Sequence, residues 1–218
     1  MKQIEDRAGF IRANTRVLAP PHCPEISLHL ADDAVALWQM TEEELGEIGL
    51  PPPFWAFAWA GGQALARYLL DHPGTVRGKS ILDVASGSGL IAIAAMKAGA
   101  SSACAVDIDP FAADAALLNA ALNDVTLTTS LIDPLGAATD MDVILVGDLF
   151  YDRDIAARLL AWLQACARAD KAILVGDPGR TYFPKAAFVN VAEYEIPVTR
   201  ALEDSEVKRT GVWRLAGN

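Results

Sequence analysis

The chain has 218 residues, a length that fits one α/β domain with a sizeable hydrophobic core. Its 18 basic and 28 acidic residues give a net charge of −10, and this charge argues against sequence-independent binding to nucleic acid. No apolar run reaches the roughly 20 residues that a membrane-spanning helix needs, so no membrane partner is expected.

Cysteine and histidine are too few and too scattered to form a metal site, and no metal is expected. The three cysteines lie far apart, which is typical of buried thiols in a reducing compartment. The N-terminus carries acidic residues where a signal peptide has an apolar segment, and it has no leader rich in arginine and serine. We therefore expect a cytoplasmic protein.

The first 52 residues are predicted to form an N-terminal extension of helices and loops. Residues 25–37 are compatible with a strand pair or a mixed segment, and Thr41 with Glu44 has the spacing of a helix capping box. An aromatic segment, residues 54–59, then precedes Gly61-Gly62 and a helix over 63–71. These aromatic side chains suit a core or the wall of a pocket equally well.

From residue 80 onward, short apolar strands alternate with helices, which predicts a parallel sheet that is covered on both faces. The predicted strands are 81–85, 103–107, 126–129, 143–146 and 172–176, and the predicted helices are 90–99, 109–122 and 153–168. Two further strands, 188–196 and 207–215, have no helix between them and should close the sheet as an antiparallel hairpin. We expect a single domain, 1–218, with a core over 53–218.

A glycine-rich turn, Ser86-Gly87-Ser88-Gly89, lies between the first of these strands and a helix. This arrangement places free N–H groups and close backbone approach at the mouth of a nucleotide site. Asp107 follows the next strand, where an acid can hold ribose hydroxyls. The motif alone does not separate a dinucleotide from S-adenosylmethionine. Asp83, inside the strand, favours a ligand that carries an ammonium and a sulfonium over one that carries a pyrophosphate.

Residues 83–89 resemble the first motif of class I, seven-strand, S-adenosylmethionine-dependent methyltransferases. Residues 148–151 match the D/E-x-x-Y signature of a family of mostly protein-lysine methyltransferases. Residues 59–62 are similar to that family's W-P-x-G stretch, with Ala60 where proline is common. Residues 147–152 and 176–180 together resemble the lysine methyltransferases of the electron transfer flavoprotein β subunit.

The resemblance implies a Rossmann-like seven-strand α/β fold, S-adenosylmethionine as the cofactor and the electron transfer flavoprotein β subunit as the protein substrate. It also implies that methylation damps electron transfer with partner dehydrogenases. Three other functions stay open: methylation of a ribosomal protein or of a small-molecule amine on the same fold, cofactor binding without catalysis, and nicotinamide-dependent oxidoreduction.

The resemblance also implies roles for individual residues. Asp148 and Tyr151 are expected to be catalytic, because they orient the acceptor amine. The residues expected to bind the cofactor are Trp55, Trp59, Asp83, Ser86, Gly87, Gly89, Asp107, Ile108, Asp133 and Gly147.

Several of these residues have an alternative structural role. Asp133 could equally cap the turn before Pro134, and Asp148 could cap the helix that follows it. Arg180 could hold an acidic residue of the substrate or lie on the surface without a role.

A lysine ammonium must lose its proton before it can accept a methyl group. Burial next to a sulfonium lowers its pKa, so the proton can leave to solvent.

Overall fold

The computed structural model describes residues 4–31, 46, 50–198 and 206–217. In these ranges the strands are β1 (Arg16–Leu18), β2 (Leu28–Leu30), β3 (Ser80–Val84), β4 (Ser102–Val106), β5 (Thr128–Ser130), β6 (Val143–Gly147), β7 (Ala172–Asp177), β8 (Phe188–Pro197) and β9 (Val207–Leu215). The α-helices are α1 (Arg7–Ala13), α2 (Ala60–Asp71), α3 (Leu90–Lys97), α4 (Pro110–Leu122) and α5 (Arg153–Arg168).

Seven of these strands form one sheet in the order β5-β4-β3-β6-β7-β9-β8. The five strands from β3 to β7 are parallel, and β9 pairs antiparallel with both β7 and β8. Strands β1 and β2 form a separate antiparallel pair. The chain thus has the expected seven-strand, mostly parallel sheet with an antiparallel hairpin at its end.

Successive residues of the central strands face opposite sides of the sheet, and both sides are apolar. Ile81 packs in the core beneath α2, α3 and α4, whereas its neighbour Leu82 packs in the core beneath α5. A third cluster joins Ile11 of α1 to Phe111 of α4. The N-terminal segment therefore packs against the sheet's helical layer.

Helices α4 and α5 each begin directly after an aspartate that caps their first turn. Asp109 accepts a hydrogen bond from the Phe111 N–H and precedes Pro110 at the first position of α4. Asp152, not Asp148, caps α5, because its carboxylate accepts the N–H groups at the start of that helix. The alternative in which Asp148 caps α5 is therefore wrong, and Asp148 is available for another role.

The predicted helices and the closing hairpin are confirmed, with small shifts at their ends. The main difference is α2, which begins at Ala60 and so takes the double glycine into its first turn. Strand β5 begins at Thr128, two residues later than predicted. The predicted helix at Thr41 lies outside the described residues, and the division into extension and core stays a prediction.

Within the described ranges, no helix has the length and apolar character needed to cross a bilayer. The same part of the chain contains no group of three or more His, Cys, Asp or Glu side chains placed to hold a metal ion.

Candidate active site

The candidate site lies at the carboxyl ends of β3, β4, β6 and β7. The sheet order reverses beside β3, since the chain first adds β4 and β5 on one side and then β6 and β7 on the other. In open α/β sheets, ligands bind in the crevice beyond the strand ends at this switch point. The predicted glycine turn and the predicted catalytic acid follow β3 and β6, which are neighbours.

The glycine turn requires glycine at two positions. Gly87 and Gly89 both have positive φ angles, of 50° and 77°. A β-carbon on Gly89 would lie 2.9 Å from the Cβ of Ala116 in α4. The turn is closed by the Gly89 N–H, which donates to the Ser86 carbonyl at 2.8 Å. This packing holds the N-terminus of α3 over the end of β3.

Two buried polar side chains beneath the turn have no hydrogen-bond partner for one of their oxygens among the described residues. These are Asp83, through Oδ1, and Ser86, through its hydroxyl. The other carboxylate oxygen of Asp83 accepts the Ala92 N–H of α3 at 3.0 Å. Burial raises the pKa of Asp83 to about 8. An unpartnered polar atom at a ligand cradle is what a polar, cationic ligand would satisfy.

Asp107 holds the turn from the end of β4. Its carboxylate accepts the Gly87 N–H at 2.9 Å and the Asp109 N–H at 3.0 Å. The next residue, Ile108, has 74% of its surface exposed, and Ile132 beyond β5 has 78% exposed. An acid flanked by exposed apolar side chains suits a ribose joined to a flat base.

Asp133 has the alternative role that the sequence left open. Its carboxylate accepts the Leu135 N–H at 2.9 Å and forms an ion pair with Arg158 at 2.7 Å. These contacts hold the pKa of Asp133 below its usual value. A contact from Asp133 to the base stays a prediction.

The two predicted tryptophans occupy different environments. Trp55 is completely buried and stacks on Phe111 of α4, with ring centres 6.0 Å apart. Of the two roles that the sequence left open, this burial favours the core, and a contact from Trp55 to the cofactor stays a prediction. Trp59 lies at the site, where its indole N–H donates to the Phe54 carbonyl at 3.0 Å. The Arg180 guanidinium lies 5.9 Å from the centre of the Trp59 ring.

Asp148 directly follows β6, and its carboxylate is held from two sides. Its Oδ2 accepts the Gly62 N–H from the first turn of α2 at 3.0 Å. Its Oδ1 accepts two N–H groups of Arg180, at 2.7 and 3.1 Å. The residue has a φ of +55°, which is uncommon for a side chain other than glycine, and only 8% of its surface is exposed. Such local strain is typical of functional sites.

Two glycines bring α2 close enough to reach Asp148. A β-carbon on Gly61 would collide with the Gly176 carbonyl oxygen of β7 and would lie 2.5 Å from Asp148 Oδ2. A β-carbon on Gly176 would likewise collide with the Gly61 carbonyl oxygen. Gly61 therefore allows the first turn of α2 to approach the β7 backbone closely.

Gly147, the last residue of β6, also packs without room for a side chain. A β-carbon there would lie 2.9 Å from the Ile91 side chain and 3.2 Å from the Gly62 backbone. This packing explains the glycine, and a contact to the cofactor stays a prediction.

Tyr151 lies three residues beyond Asp148 and is half exposed. Its ring is tilted against that of Phe54, with ring centres 6.2 Å apart. Partial burial raises the pKa of its hydroxyl, so this group stays protonated near neutral pH. Tyr151 can therefore donate a hydrogen bond at the rim of the site.

Sequence reasoning missed the roles of Arg180 and Asp177. Asp177, at the end of β7, accepts the N–H groups of Gly179 and Arg180 at 2.7 and 2.8 Å. Burial raises the pKa of Asp177 to about 6. Its position fixes the backbone from which Arg180 reaches Asp148. The sequence shows the motif from Asp177 to Arg180, but it does not show that Arg180 contacts Asp148. That contact follows from the pairing of β6 with β7.

We predict that Asn119→Ala destabilises the protein by about 2 to 4 kcal/mol, because it leaves two buried backbone groups unpaired. Asn119 is completely buried, accepts the His29 N–H of β2 at 2.7 Å and donates to the Ser88 carbonyl at 2.8 Å. Chemical denaturation measures the effect. The exposed Asn190→Ala is the matched control, and equal losses in the two variants would contradict this account.

In a comparison with known proteins, the family model of ribosomal protein L11 methyltransferase (PrmA) matches residues 64–149. The chain is 38% identical to the electron transfer flavoprotein beta subunit lysine methyltransferase of Danio rerio, over 96% of this chain and 83% of that protein. It is 40% identical to the protein of the same name from Homo sapiens, over 94% of this chain and 80% of that one.

Among solved structures, the fold is similar to magnesium protoporphyrin IX methyltransferase from Synechocystis PCC 6803, which was solved with bound S-adenosylmethionine. The TM-score is 0.54 at 17% identity, over 72% of this chain and 80% of that chain. This similarity supports the fold.

Proposed function

Because the chain belongs to the family of electron transfer flavoprotein beta subunit lysine methyltransferases, we propose that it methylates lysine side chains of that subunit. It is a methyltransferase, and S-adenosylmethionine is its cofactor. The observation that carries the proposed substrate is the extent of the similarity, which covers 96% of this chain and 83% of a relative. The similarity thus includes the N-terminal segment and the hairpin, as well as the cofactor-binding strands.

The residues present fit S-adenosylmethionine. The unpartnered oxygens of Asp83 and Ser86 lie beneath the glycine turn, and Asp107 lies beside the exposed Ile108. We assign the first pair to the methionine end of the cofactor, Asp107 to the ribose and Ile108 to the adenine. When bound, the cofactor supplies an electrophilic methyl group on a positively charged sulfur.

The acceptor lysine is assigned to the rim formed by Asp148, Tyr151 and Trp59. Asp148 is held rigidly and can orient the amine, Tyr151 can donate a hydrogen bond, and the Trp59 face suits the lysine's aliphatic stem and its charge. The amine loses its proton to water, and its lone pair then forms the new N–C bond as the methyl–sulfur bond breaks. In this scheme the proton goes to water, so the reaction needs no residue as a general base.

We predict that Asp107→Ala weakens S-adenosylmethionine binding by about 10- to 100-fold, since a carboxylate bond to the ligand and the anchor of the glycine turn are both lost. Isothermal titration calorimetry measures the dissociation constant. Asp140→Ala, an exposed acid on a loop, is the control and should bind as the parent does. An unchanged dissociation constant in the Asp107 variant would remove that residue from the site.

A second candidate substrate is ribosomal protein L11, because the matching family model carries that name. The two proposals separate in one assay, in which the protein is given methyl-labelled S-adenosylmethionine and equal amounts of purified electron transfer flavoprotein and L11. We expect label on the β subunit alone. Label on L11 alone would replace the first proposal by the second.

The proposed partner is thus a protein, and we propose that its methylation damps electron transfer with dehydrogenases. A cytoplasmic location stays a prediction from the sequence.

A further inference from the structure

The contact between Arg180 and Asp148 is built into the site. Asp177 fixes the backbone of Arg180 through two hydrogen bonds, and Gly179 has a φ of +89°, which allows the chain to turn back towards β6. The guanidinium then donates twice to one oxygen of Asp148, and its side chain is only 20% exposed. The pair is thus largely shielded from water. Its two charges therefore act more strongly on each other than they would in water.

A carboxylate beside an acceptor lysine has two opposed effects on methyl transfer. It orients the amine by accepting a hydrogen bond, which favours the reaction. It also stabilises the ammonium form, because an opposite charge within about 4–6 Å raises the pKa of a lysine by roughly 1 to 3 units. The ammonium has no lone pair, so a carboxylate whose charge is not offset would hold the substrate in its unreactive form.

We propose that Arg180 is a positioning residue that offsets the charge of Asp148, so that the carboxylate orients the acceptor amine without holding it as an ammonium. The inference rests on the proposed lysine methylation and deepens it. Arg180 holds Asp148 through a guanidinium that stays charged at every pH of interest. The second neighbour of Asp148, the Gly62 N–H, adds a partial positive charge from the start of α2 in the same direction.

The titratable groups that act on Asp148 or Tyr151 among the described residues include three acids. Asp177 lies beside it on β7 and adds negative charge once it is ionised. Tyr151 stays neutral, and its neighbours Asp152 and Asp107 are both acids. Among these described groups Arg180 is the cation, so its removal takes away the positive charge that it places on Asp148.

The test is the pH dependence of methyl transfer to the electron transfer flavoprotein, measured for the parent, Arg180→Gln and Arg180→Lys from about pH 6.5 to 10. For Arg180→Gln, which removes the charge, we expect the rise of kcat with pH to move to higher pH by about 1 unit or more. Its rate should be about tenfold lower at pH 8 and approach the parent's at the alkaline end. The KM for the flavoprotein should fall or stay level, because Asp148 without the charge of Arg180 binds the cationic lysine better. Arg180→Lys keeps the charge and should keep the parent's profile.

Controls separate this inference from the proposed function. Arg209→Gln removes an arginine that is exposed on the hairpin and paired with Glu193, and it should leave the profile unchanged. Arg180→Met replaces the glutamine variant if that one does not fold, which thermal unfolding and cofactor titration reveal. A loss of equal size at every pH, or no loss, would overturn the role of Arg180. Absence of methylation by the parent would instead overturn the proposed substrate.

Discussion

Replacing Asp148 by asparagine is expected to lower kcat for methyl transfer by about 100- to 1,000-fold, the range seen when one preorganised polar group is lost from an active site. Asparagine has nearly the same size, so the packing against α2 survives. It lacks the negative charge, and its amide nitrogen must face either the Gly62 N–H or the Arg180 guanidinium, which both donate. The orientation of the acceptor amine is therefore lost.

Cofactor binding should survive this change, because the glycine turn and Asp107 are held by β3 and β4. Stopped assays give the rate, and calorimetry gives the dissociation constant for S-adenosylmethionine, which should stay within about twofold. Asp152→Asn, four residues further on, is the matched control, since asparagine also caps helices. A rate within about threefold of the parent's, or roughly 0.65 kcal/mol in barrier, would show that Asp148 is not catalytic.

Gly61→Ala should destabilise the protein by about 3 kcal/mol or more, at the upper end of the cost of overpacking. The new methyl group would collide with the Gly176 carbonyl oxygen, which is backbone, and lie 2.5 Å from Asp148 Oδ2, whose carboxylate is held from two sides. Helix α2 must then move away from β7, which also removes the Gly62 N–H from Asp148. We expect a lower midpoint in chemical denaturation and weak activity in whatever folds.

The matched control is Gly62→Ala, the same substitution at the next residue of α2. Its β-carbon would meet only the Leu90 side chain, at 4.0 Å, and alanine favours a helix over glycine by about 1 kcal/mol. This variant keeps the N–H that binds Asp148, so it should be at least as stable as the parent and active. Equal destabilisation of the two variants would mean that the contact between α2 and β7 is not the reason for Gly61.

Local signals in the sequence were enough to predict most of the sheet and the glycine turn that follows β3. Strands such as 143–146 are continuous apolar runs, and Asp109-Pro110 marks a helix start by its own chemistry. The turn at Gly87 and the acid at Asp107 belong to one strand–helix–strand unit, β3-α3-β4, so their spacing along the chain already reflects their spacing in the fold.

The acceptor half depends on contacts between distant segments. Arg180 lies 32 residues from Asp148, and the two meet because β6 and β7 are neighbours in the sheet. The ring of Trp55 stacks on Phe111 in the core. Phe111 lies on α4, and no local sequence pattern links that helix to Trp55. The same holds for Gly61, whose constraint comes from a carbonyl of β7. Periodicity cannot reveal such pairings.

The most direct test of the central claim is intact-mass spectrometry of the electron transfer flavoprotein after incubation with S-adenosylmethionine and either the parent protein or Asp148→Asn. The account predicts mass added to the β subunit in whole methyl units with the parent protein, and little or none with the variant. An unmodified β subunit, in the presence of a parent protein that binds its cofactor, would contradict the assigned substrate. Equal modification by the variant would contradict the assigned site.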